Sequence, residues 1–126
     1  MSEIKTDKLT GTSAAGSILV TGEGNSTTTN LQQGLAKAWS RSSSSALVDS
    51  FNCSGFTDNG AGDFTVAFSN AFSNVAFACT VSPVGANSRY VANSGAATTS
   101  IDLDTFNTSA SRTDTPTAFQ ICGDLA

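Results

Sequence analysis

The sequence contains no histidine, and only 13% of its 126 residues are charged. Without histidine, Ser-His-Asp and Cys-His catalysis are excluded, and the commonest metal ligand of proteins is missing. The six basic residues are scattered singly and the formal net charge is −4, so the chain has no basic patch for binding nucleic acid. No apolar run approaches the length of a membrane span. We therefore expect neither a nucleic-acid partner nor membrane insertion.

The chain also lacks the G-x-S-x-G, P-loop and G-x-G-x-x-G motifs that mark common catalytic and nucleotide-binding sites. Asp102 and Asp104 lie on one face of a predicted strand, about 6–7 Å apart by the strand rise, and we interpret them as a solvated face. The acidic loop at 58–63 lacks the ligand spacing of a calcium loop, which favours a turn. We predict no catalytic residue, no cofactor and no metal, and hence no enzyme.

Cysteine and proline are scarce, with three and two residues respectively. Cys53, Cys79 and Cys122 are odd in number, far apart and outside any C-x-x-C motif. The polar start of the chain has no apolar secretion signal, which predicts synthesis in a cytoplasm. Free buried thiols are therefore favoured over a disulfide framework.

The clearest structural signal is a strand and hairpin in the middle of the chain. Residues 63–68 alternate, with Phe64, Val66 and Phe68 on one face, as in a strand half-buried against a core. The preceding Asn59-Gly60 pair, between two apolar-patterned runs, predicts a hairpin turn with positive φ at Gly60. Gly55 marks the place where the alternation breaks, as at a β-bulge.

Further short strands are expected on both sides of this hairpin, at 47–56, 75–82, 89–92, 98–106 and 118–123. Their spacing is typical of a β-sandwich or a small barrel. We predict a small antiparallel, jelly-roll-like β-sandwich over residues 40–126. The aromatic residues expected to be largely buried are Phe51, Phe64, Phe68 and Phe77. Further side chains are expected to face inward, namely those of Val75, Cys79, Val81, Ile101, Leu103, Phe119 and Ile121.

The segment 30–39 is predicted to form one short helix. Asn30 can serve as its N-cap, and Leu31, Leu35 and Ala38 recur on one stripe at i, i+4 and i+7. Trp39 closes the segment. So short a helix has no independent stability, and residues alone leave open whether the stripe packs on the β domain or on further copies of the chain.

Residues 1–29 are predicted to form an extended arm, since they are too polar to fold alone. Their sizeable apolar groups lie among Gly, Ser and Thr, and are Ile4, Leu9, Ile18, Leu19 and Val20. A short strand at Ile18-Leu19-Val20 with Gly16 and Gly22 as its bounds favours an arm ordered against other subunits over a floppy tail.

Two sequence blocks resemble a known family. Gly34-Leu35-Ala36-Lys37-Ala38-Trp39 is similar to G-[LV]-A-K-A-W. Residues 50–66 are similar to S-F-N-x-S-x-x-T-D-N-G-x-G-D-[YF]-T-V. Both signatures are those of tail-fibre and related virion proteins of tailed, often marine, bacteriophages, and the similarity covers roughly residues 30–125. The chain departs from that family in having only a short arm and no long shaft.

The resemblance implies a β-rich, usually trimeric module with a structural or adhesive role and no catalytic residues. It favours a homotrimer held by Leu31, Leu35, Ala38 and Trp39, with the arm anchored on other virion proteins of the capsid or tail. The heads would meet a host-surface glycan or protein, for which Arg89 and Tyr90 are candidate contacts. A capsid decoration (cement) protein is the first alternative. A small glycan-binding or glycan-hydrolysing tailspike module is the second.

Overall fold

The protein, in a computed structural model, is described over residues 3–14, 18–21, 27–85 and 89–126. It divides into two compact units, Met1–Leu35 and Ala36–Ala126, which we call the arm and the head. The boundary therefore lies inside the predicted 30–39 helix. Within the described ranges no helix has the length and apolarity to cross a bilayer.

The described residues of the arm form a small antiparallel sheet. Strand β1 (Leu19–Thr21) pairs with β2 (Thr28–Asn30), and a single helical turn, α1 (Leu31–Gly34), follows directly. The backbone N–H of Leu31 donates to the carbonyl of Ile18 over 2.8 Å. The short strand expected around Leu19 and Val20 is thus present, while its predicted bounds Gly16 and Gly22 lie outside the described residues. Over residues 3–14, 18–21, 27–31, 34 and 35 of the arm, no side chain is buried.

The head is built of two four-stranded antiparallel sheets. In the first sheet the strand order is β4-β3-β10-β7, and in the second it is β5-β6-β9-β8. The strands are β3 (Ala36–Ser42), β4 (Leu47–Phe51), β5 (Cys53–Gly60), β6 (Asp63–Phe68), β7 (Ala78–Pro83), β8 (Arg89–Ala97), β9 (Ser100–Asn107) and β10 (Thr117–Cys122). The prediction of a mainly β, antiparallel domain is confirmed.

The two sheets contribute to one hydrophobic core, in a β-sandwich-like arrangement. Its buried members are Ala38, Phe119 and Ile121 from the first sheet, Val66, Phe68, Ile101 and Leu103 from the second, and Phe72 from the connection between β6 and β7. Phe68 and Phe72 meet edge to face with their ring centroids 5.0 Å apart, which is a favoured aromatic geometry. Burial of Phe64, Phe68, Ile101, Leu103, Phe119 and Ile121 is confirmed.

The central hairpin pairs the two predicted segments, but its turn is displaced. Strand β5 pairs with β6 and the register shifts between Cys53 and Gly55, so the bulge expected at Gly55 is present. Gly60 has φ 140°, which confirms the positive φ predicted there. The turn lies two residues later than predicted, at Ala61 and Gly62, where Gly62 has φ 67°, because Asn59 and Gly60 still belong to β5.

The helix predicted at 30–39 is wrong beyond its first turn. Helical structure ends at Gly34, and β3 begins at Ala36. Strand β3 pairs with both β4 and β10, so the backbone groups of this segment are satisfied by neighbouring strands. This tertiary pairing outweighs the weak helical propensity of the segment, which Gly34 had already reduced. The predicted stripe of Leu31, Leu35 and Ala38 therefore does not exist.

Three further predictions about the strands are corrected. The strand expected at 47–56 is split by Asn52, whose positive φ of 57° turns the chain from the first sheet into the second. As a result Phe51 ends β4 on the outside, 52% exposed, and its predicted burial is wrong. Val75 is also exposed, because β7 starts only at Ala78 and no strand aligns Val75 with the core. Phe77, Cys79 and Val81 are partly buried against the core.

The connections between the strands of the head can be compared with those of the predicted jelly-roll-like topology. In a jelly roll nearly every connection passes from one sheet to the other. Here the hairpins β3–β4, β5–β6 and β8–β9 each stay within one sheet. The strand order therefore does not support that detail of the prediction.

Candidate functional site

The outer face of the first sheet carries an exposed tryptophan in an interior strand. Along β3, Ala38 and Ser40 are buried and point to the core, so that Trp39 and Arg41 must project to the other side. The cross-strand partners of Trp39 are Phe51 on β4 and Gln120 on β10. Residues directly opposite each other project on the same face of a sheet, so these side chains form one row.

This row and its neighbour define what we call the Trp39 face. The first row continues from Gln120 to Thr80 on β7. The adjacent row joins four residues in register, namely Asp49, Arg41, Ala118 and Ser82. The face thus combines two exposed aromatic rings with amide, hydroxyl and charged groups.

A shallow, open depression of about 370 Å³ lies on this face. Six of the side-chain positions that line it are Trp39, Arg41, Thr80, Ser82, Ala118 and Gln120. Trp39 is 37% exposed. Ala118 stands between Arg41 and Ser82 in the register, and its small side chain leaves room between those longer neighbours. The arrangement suits the binding of a small or extended ligand through stacking and hydrogen bonds, because it offers both an apolar ring and polar groups.

The outer face of the second sheet carries a second aromatic pair. Tyr90 on β8 and Phe106 on β9 are cross-strand partners, and their rings are stacked with centroids 5.2 Å apart. Tyr90 is 44% exposed and Arg89 partly buried, so the candidate contacts Arg89 and Tyr90 lie on the head surface. Any recognition role for them stays a prediction.

Next to this pair, Arg112 forms two ion pairs across the second sheet. Its Nη1 donates to Asp63 Oδ2 over 2.8 Å and its Nη2 to Asp104 Oδ2 over 2.6 Å. The hydrogen bond to Asp104, followed by the attraction of both carboxylates, raises the pKa of the Arg112 guanidinium above its ordinary value. The cation fastens the segment after β9 onto the sheet.

The interpretation of Asp102 and Asp104 as a solvated face is therefore wrong. Asp104 is buried and pairs with Arg112, while its Oδ1 has no hydrogen-bond partner among the described residues. Asp102 is partly buried and accepts a hydrogen bond from the Thr65 hydroxyl over 2.8 Å. The prediction failed because it considered β9 alone, without Arg112, which lies beyond the end of the strand.

The acidic turn at 58–63 uses its carboxylates for structure. Asp58 Oδ1 accepts a hydrogen bond from the Gly60 N–H over 2.9 Å, and Asn59 donates to Asp63 and to Thr65. Gly62 donates its N–H to Asp114 over 2.7 Å. The described residues contain no group of three or more side chains suited to holding a metal ion. The interpretation of this stretch as a turn agrees with these contacts.

The three cysteines are free thiols, as predicted, although each is only partly buried. Burial raises the pKa of Cys53 to about 11, and it raises the pKa of Cys79 to about 11 as well. Because the thiolate is the reactive form, these two residues are poorly suited to nucleophilic or redox chemistry.

The predicted trimer-interface residues fall into two different units. Leu31 and Leu35 belong to the arm, where Leu35 is 51% exposed. Ala38 is fully buried in the core of the head, and Trp39 belongs to its outer face. Four of the five residues predicted to anchor the arm expose about half or more of their surface, namely Ile4, Leu9, Leu19 and Val20. Ile18 is partly buried.

The Trp39 face was missed by the sequence reasoning. The alternation of Ala38, Ser40 and Ser42 with Trp39 and Arg41 was available as a signal, since it has a period of two. The pairing of β3 with β10, far away in the chain, was not readable from either segment.

In comparisons with known proteins, no family model matches the chain, and no curated protein or solved structure matches it.

Proposed function

We propose that the protein is a non-enzymatic structural subunit of a tailed-bacteriophage virion, of the tail-fibre or adhesin type. Its arm would anchor it to other virion proteins, and its head would contact the host surface. The two sequence blocks that resemble tail-fibre modules support this proposal, and so does the exposed aromatic and polar surface of the head.

The observation that carries the proposal is the exposure of apolar groups on the arm. Ile4 is 86% exposed, and Leu9, Leu19 and Leu35 each expose about half or more of their surface. A segment with so little buried surface gains its stability from a partner. An attachment segment on a head that has its own core is what a virion subunit requires.

Self-association into a homotrimer is part of the proposal, now assigned to the arm alone. Ala38 cannot take part without opening the core, whereas Leu31 and Leu35 remain in the arm. Leu35→Asp would place like charges together if three copies meet there, in an environment where burying charge is costly. We expect the sedimenting mass to fall from trimer to monomer, with the β signal in circular dichroism kept. A parent protein that sediments as a monomer at micromolar concentration would rule out a self-sufficient trimer.

The direct test locates the protein on phage particles. Antibody-gold labelling of particles whose genome encodes this chain should mark the tail fibres, and labelled protein should bind cells of the infected bacterium. Labelling over the capsid surface, without cell binding, would favour the decoration protein, whose architecture would be the same. No labelling of particles at all would overturn the proposal.

The anchoring role of the arm has a matched control. Leu9→Asp combined with Leu19→Asp should prevent incorporation into particles while the head stays folded. Val48→Asp combined with Val75→Asp also introduces two aspartates at similarly exposed apolar positions, here on the head, and should leave incorporation intact. Equal incorporation of both variants would contradict anchoring through the arm.

A glycan-hydrolysing module is not the function that the head supports best. Asp102 is engaged by Thr65 and Asp104 by Arg112, so neither carboxyl group is set up as a free acid or base. Release of reducing sugar from host polysaccharide, abolished by Asp102→Asn or Asp104→Asn, would reverse this view.

A further inference from the structure

The position of Trp39 is unusual for a large aromatic residue. Strand β3 lies between β4 and β10, so Trp39 is in the interior of its sheet and not at an edge. Leaving part of an indole ring in water forgoes the gain from burying apolar surface. The ring nevertheless faces outward and is flanked by Phe51, which is also exposed. An outward indole offers a flat apolar surface together with one N–H donor.

The polar side chains that β10 and β7 contribute to the Trp39 face are neutral donors and acceptors. Gln120, directly opposite Trp39, has an amide that both donates and accepts, and Thr80 beyond it has a hydroxyl with the same capacity. Ser82 provides a second hydroxyl in the next row. Adjacent hydroxyl groups of a sugar ring need partners of this kind, since each of them also donates and accepts.

The charges on the face compensate each other. Arg41 and Asp49 are cross-strand partners of opposite sign, so the surface around Trp39 carries no net charge from this pair. Within these two rows the balance disfavours a strongly anionic or cationic ligand, and Lys37, two residues before Trp39 on β3, is buried. The volume of about 370 Å³ falls within the range of small-ligand sites, and its open shape leaves room for a ligand that continues as a chain.

We infer that the Trp39 face binds a neutral hexopyranose unit of a surface glycan. Trp39 would stack on the C–H face of the sugar ring, and Gln120, Thr80 and Ser82 would hydrogen-bond to its hydroxyl groups. The inference rests on the proposed attachment function, since it names the ligand that the head would contact.

The single tryptophan of the chain makes a direct test possible. Full-length protein is titrated with neutral oligosaccharides of glucose, galactose and mannose while Trp39 fluorescence is recorded. We expect at least one of them to shift the emission saturably, with a Kd of about 1 mM or tighter. An acidic oligosaccharide should bind at least tenfold more weakly than the best neutral one. Tighter binding of the acidic sugar, or no saturable response to any neutral one, would overturn the inference.

Variants assign the binding to this face. Gln120→Ala should weaken binding of the best neutral sugar about tenfold, as expected for the loss of two hydrogen bonds. Trp39→Ala, measured by calorimetry since the fluorophore is lost, should abolish binding. Val75→Ala changes an exposed apolar residue outside the Trp39 face and should bind as the parent does. Unchanged binding in Trp39→Ala, with its fold verified by circular dichroism, would refute the site.

Two outcomes separate this inference from its alternatives. A second copy of the chain as the occupant would show as a change in Trp39 emission on dilution without sugar, together with a change in sedimenting mass, and would overturn it. If the parent and Trp39→Ala bind host cells equally well, the glycan site is wrong while the attachment function stands. If the parent is absent from virions and does not bind cells, the proposed function itself fails.

Discussion

The arm and the head use apolar residues in opposite ways. The arm places Leu19 and Val20 in a two-stranded sheet and leaves both exposed, whereas the head closes two four-stranded sheets over a common core. A two-stranded sheet is marginal in water, since one face cannot be covered. Apolar content alone therefore does not fold this chain, and a second layer is needed. The difference places the buried apolar surface in the head and leaves that of the described arm residues exposed.

The largest expected effect comes from removing a core ring of the head. Phe68 is buried against Phe72 and lies 6.2 Å from Phe77 between ring centroids. Phe68→Ala should lower the free energy of unfolding by about 3–5 kcal/mol, as a cavity in a small core. Urea unfolding followed by circular dichroism measures the loss.

The matched substitution in the arm sharpens the contrast. Leu19→Ala removes a comparable apolar group from an exposed position, and should change the same free energy by no more than about 0.5 kcal/mol. If Leu19→Ala destabilised the head as much as Phe68→Ala, the separation into a stable head and a dependent arm would be wrong.

A somewhat smaller effect is expected at the central turn of the head. A Cβ added at Gly62 would overlap the carbonyl oxygen of Thr105 and come within 2.5 Å of the backbone nitrogen of Thr113. With its φ of 67°, Gly62→Ala should cost about 2–4 kcal/mol in unfolding free energy. Thermal unfolding of the purified variant measures this.

Gly60 is the natural control, because it also has positive φ while a Cβ there would meet no atom within 4 Å. Gly60→Ala should therefore cost less than Gly62→Ala. Equal losses would mean that backbone strain, and not the close approach to Thr105 and Thr113, sets the requirement for glycine.

Loss of the ion pairs of Arg112 should destabilise the head by less than Phe68→Ala or Gly62→Ala. Arg112→Gln leaves the buried carboxylate of Asp104 without its cation, which is unfavourable even where water has partial access. We expect a lower midpoint in urea. Arg89→Gln makes the same charge change without removing this contact, and should have the smaller effect. A larger loss of stability in Arg89→Gln than in Arg112→Gln would show that net charge matters more than the ion pairs of Arg112.

The smallest predicted effect is a loss of stability at alkaline pH that is confined to the head, which contains all three cysteines. Cys53 and Cys79 have pKa values of about 11 in the folded protein against an ordinary 9.0. Between pH 9 and 11 these thiols are therefore deprotonated more fully in the unfolded chain than in the folded protein. The unfolded state is thus favoured as pH rises from 9 to 11, and stability falls across this window. Both thiols are partly exposed, and solvent screening keeps the effect small.

The double variant Cys53→Ala with Cys79→Ala tests this assignment. Its unfolding free energy should decline less steeply between pH 9 and 11 than that of the parent. The same slope in both proteins would assign the alkaline sensitivity to other groups.

The parts of the head that were predictable are those in which local pattern and fold agree. Strand β6 alternates between buried and partly buried residues along its whole length, and its turn uses glycines where positive φ occurs. Ile101 and Leu103 follow the same logic on β9. In these stretches the period of two and the turn residues both favour the strands and the hairpin that the structure contains.

The errors arose where distant pairing decided the outcome. The segment around Ala36 and Ala38 contains good helix formers, yet β10 pairs with it from the other end of the head. Phe51 follows the strand pattern, but positive φ at Asn52 places it in a different sheet from Cys53. For the same reason the composition of the Trp39 face could not be read from the sequence, since Gln120 joins Trp39 only through that long-range register.

The pairing of β3 with β10 also places the first and the last strand of the head side by side. Ala36, the first residue of the head, is the cross-strand partner of Cys122, close to the end of the chain. A domain whose two ends adjoin can be inserted into a loop of another protein through short linkers, or recircularised and opened elsewhere, without stretching its host. We therefore expect the head to be transplantable, as a cassette that displays its two outer faces on an unrelated scaffold.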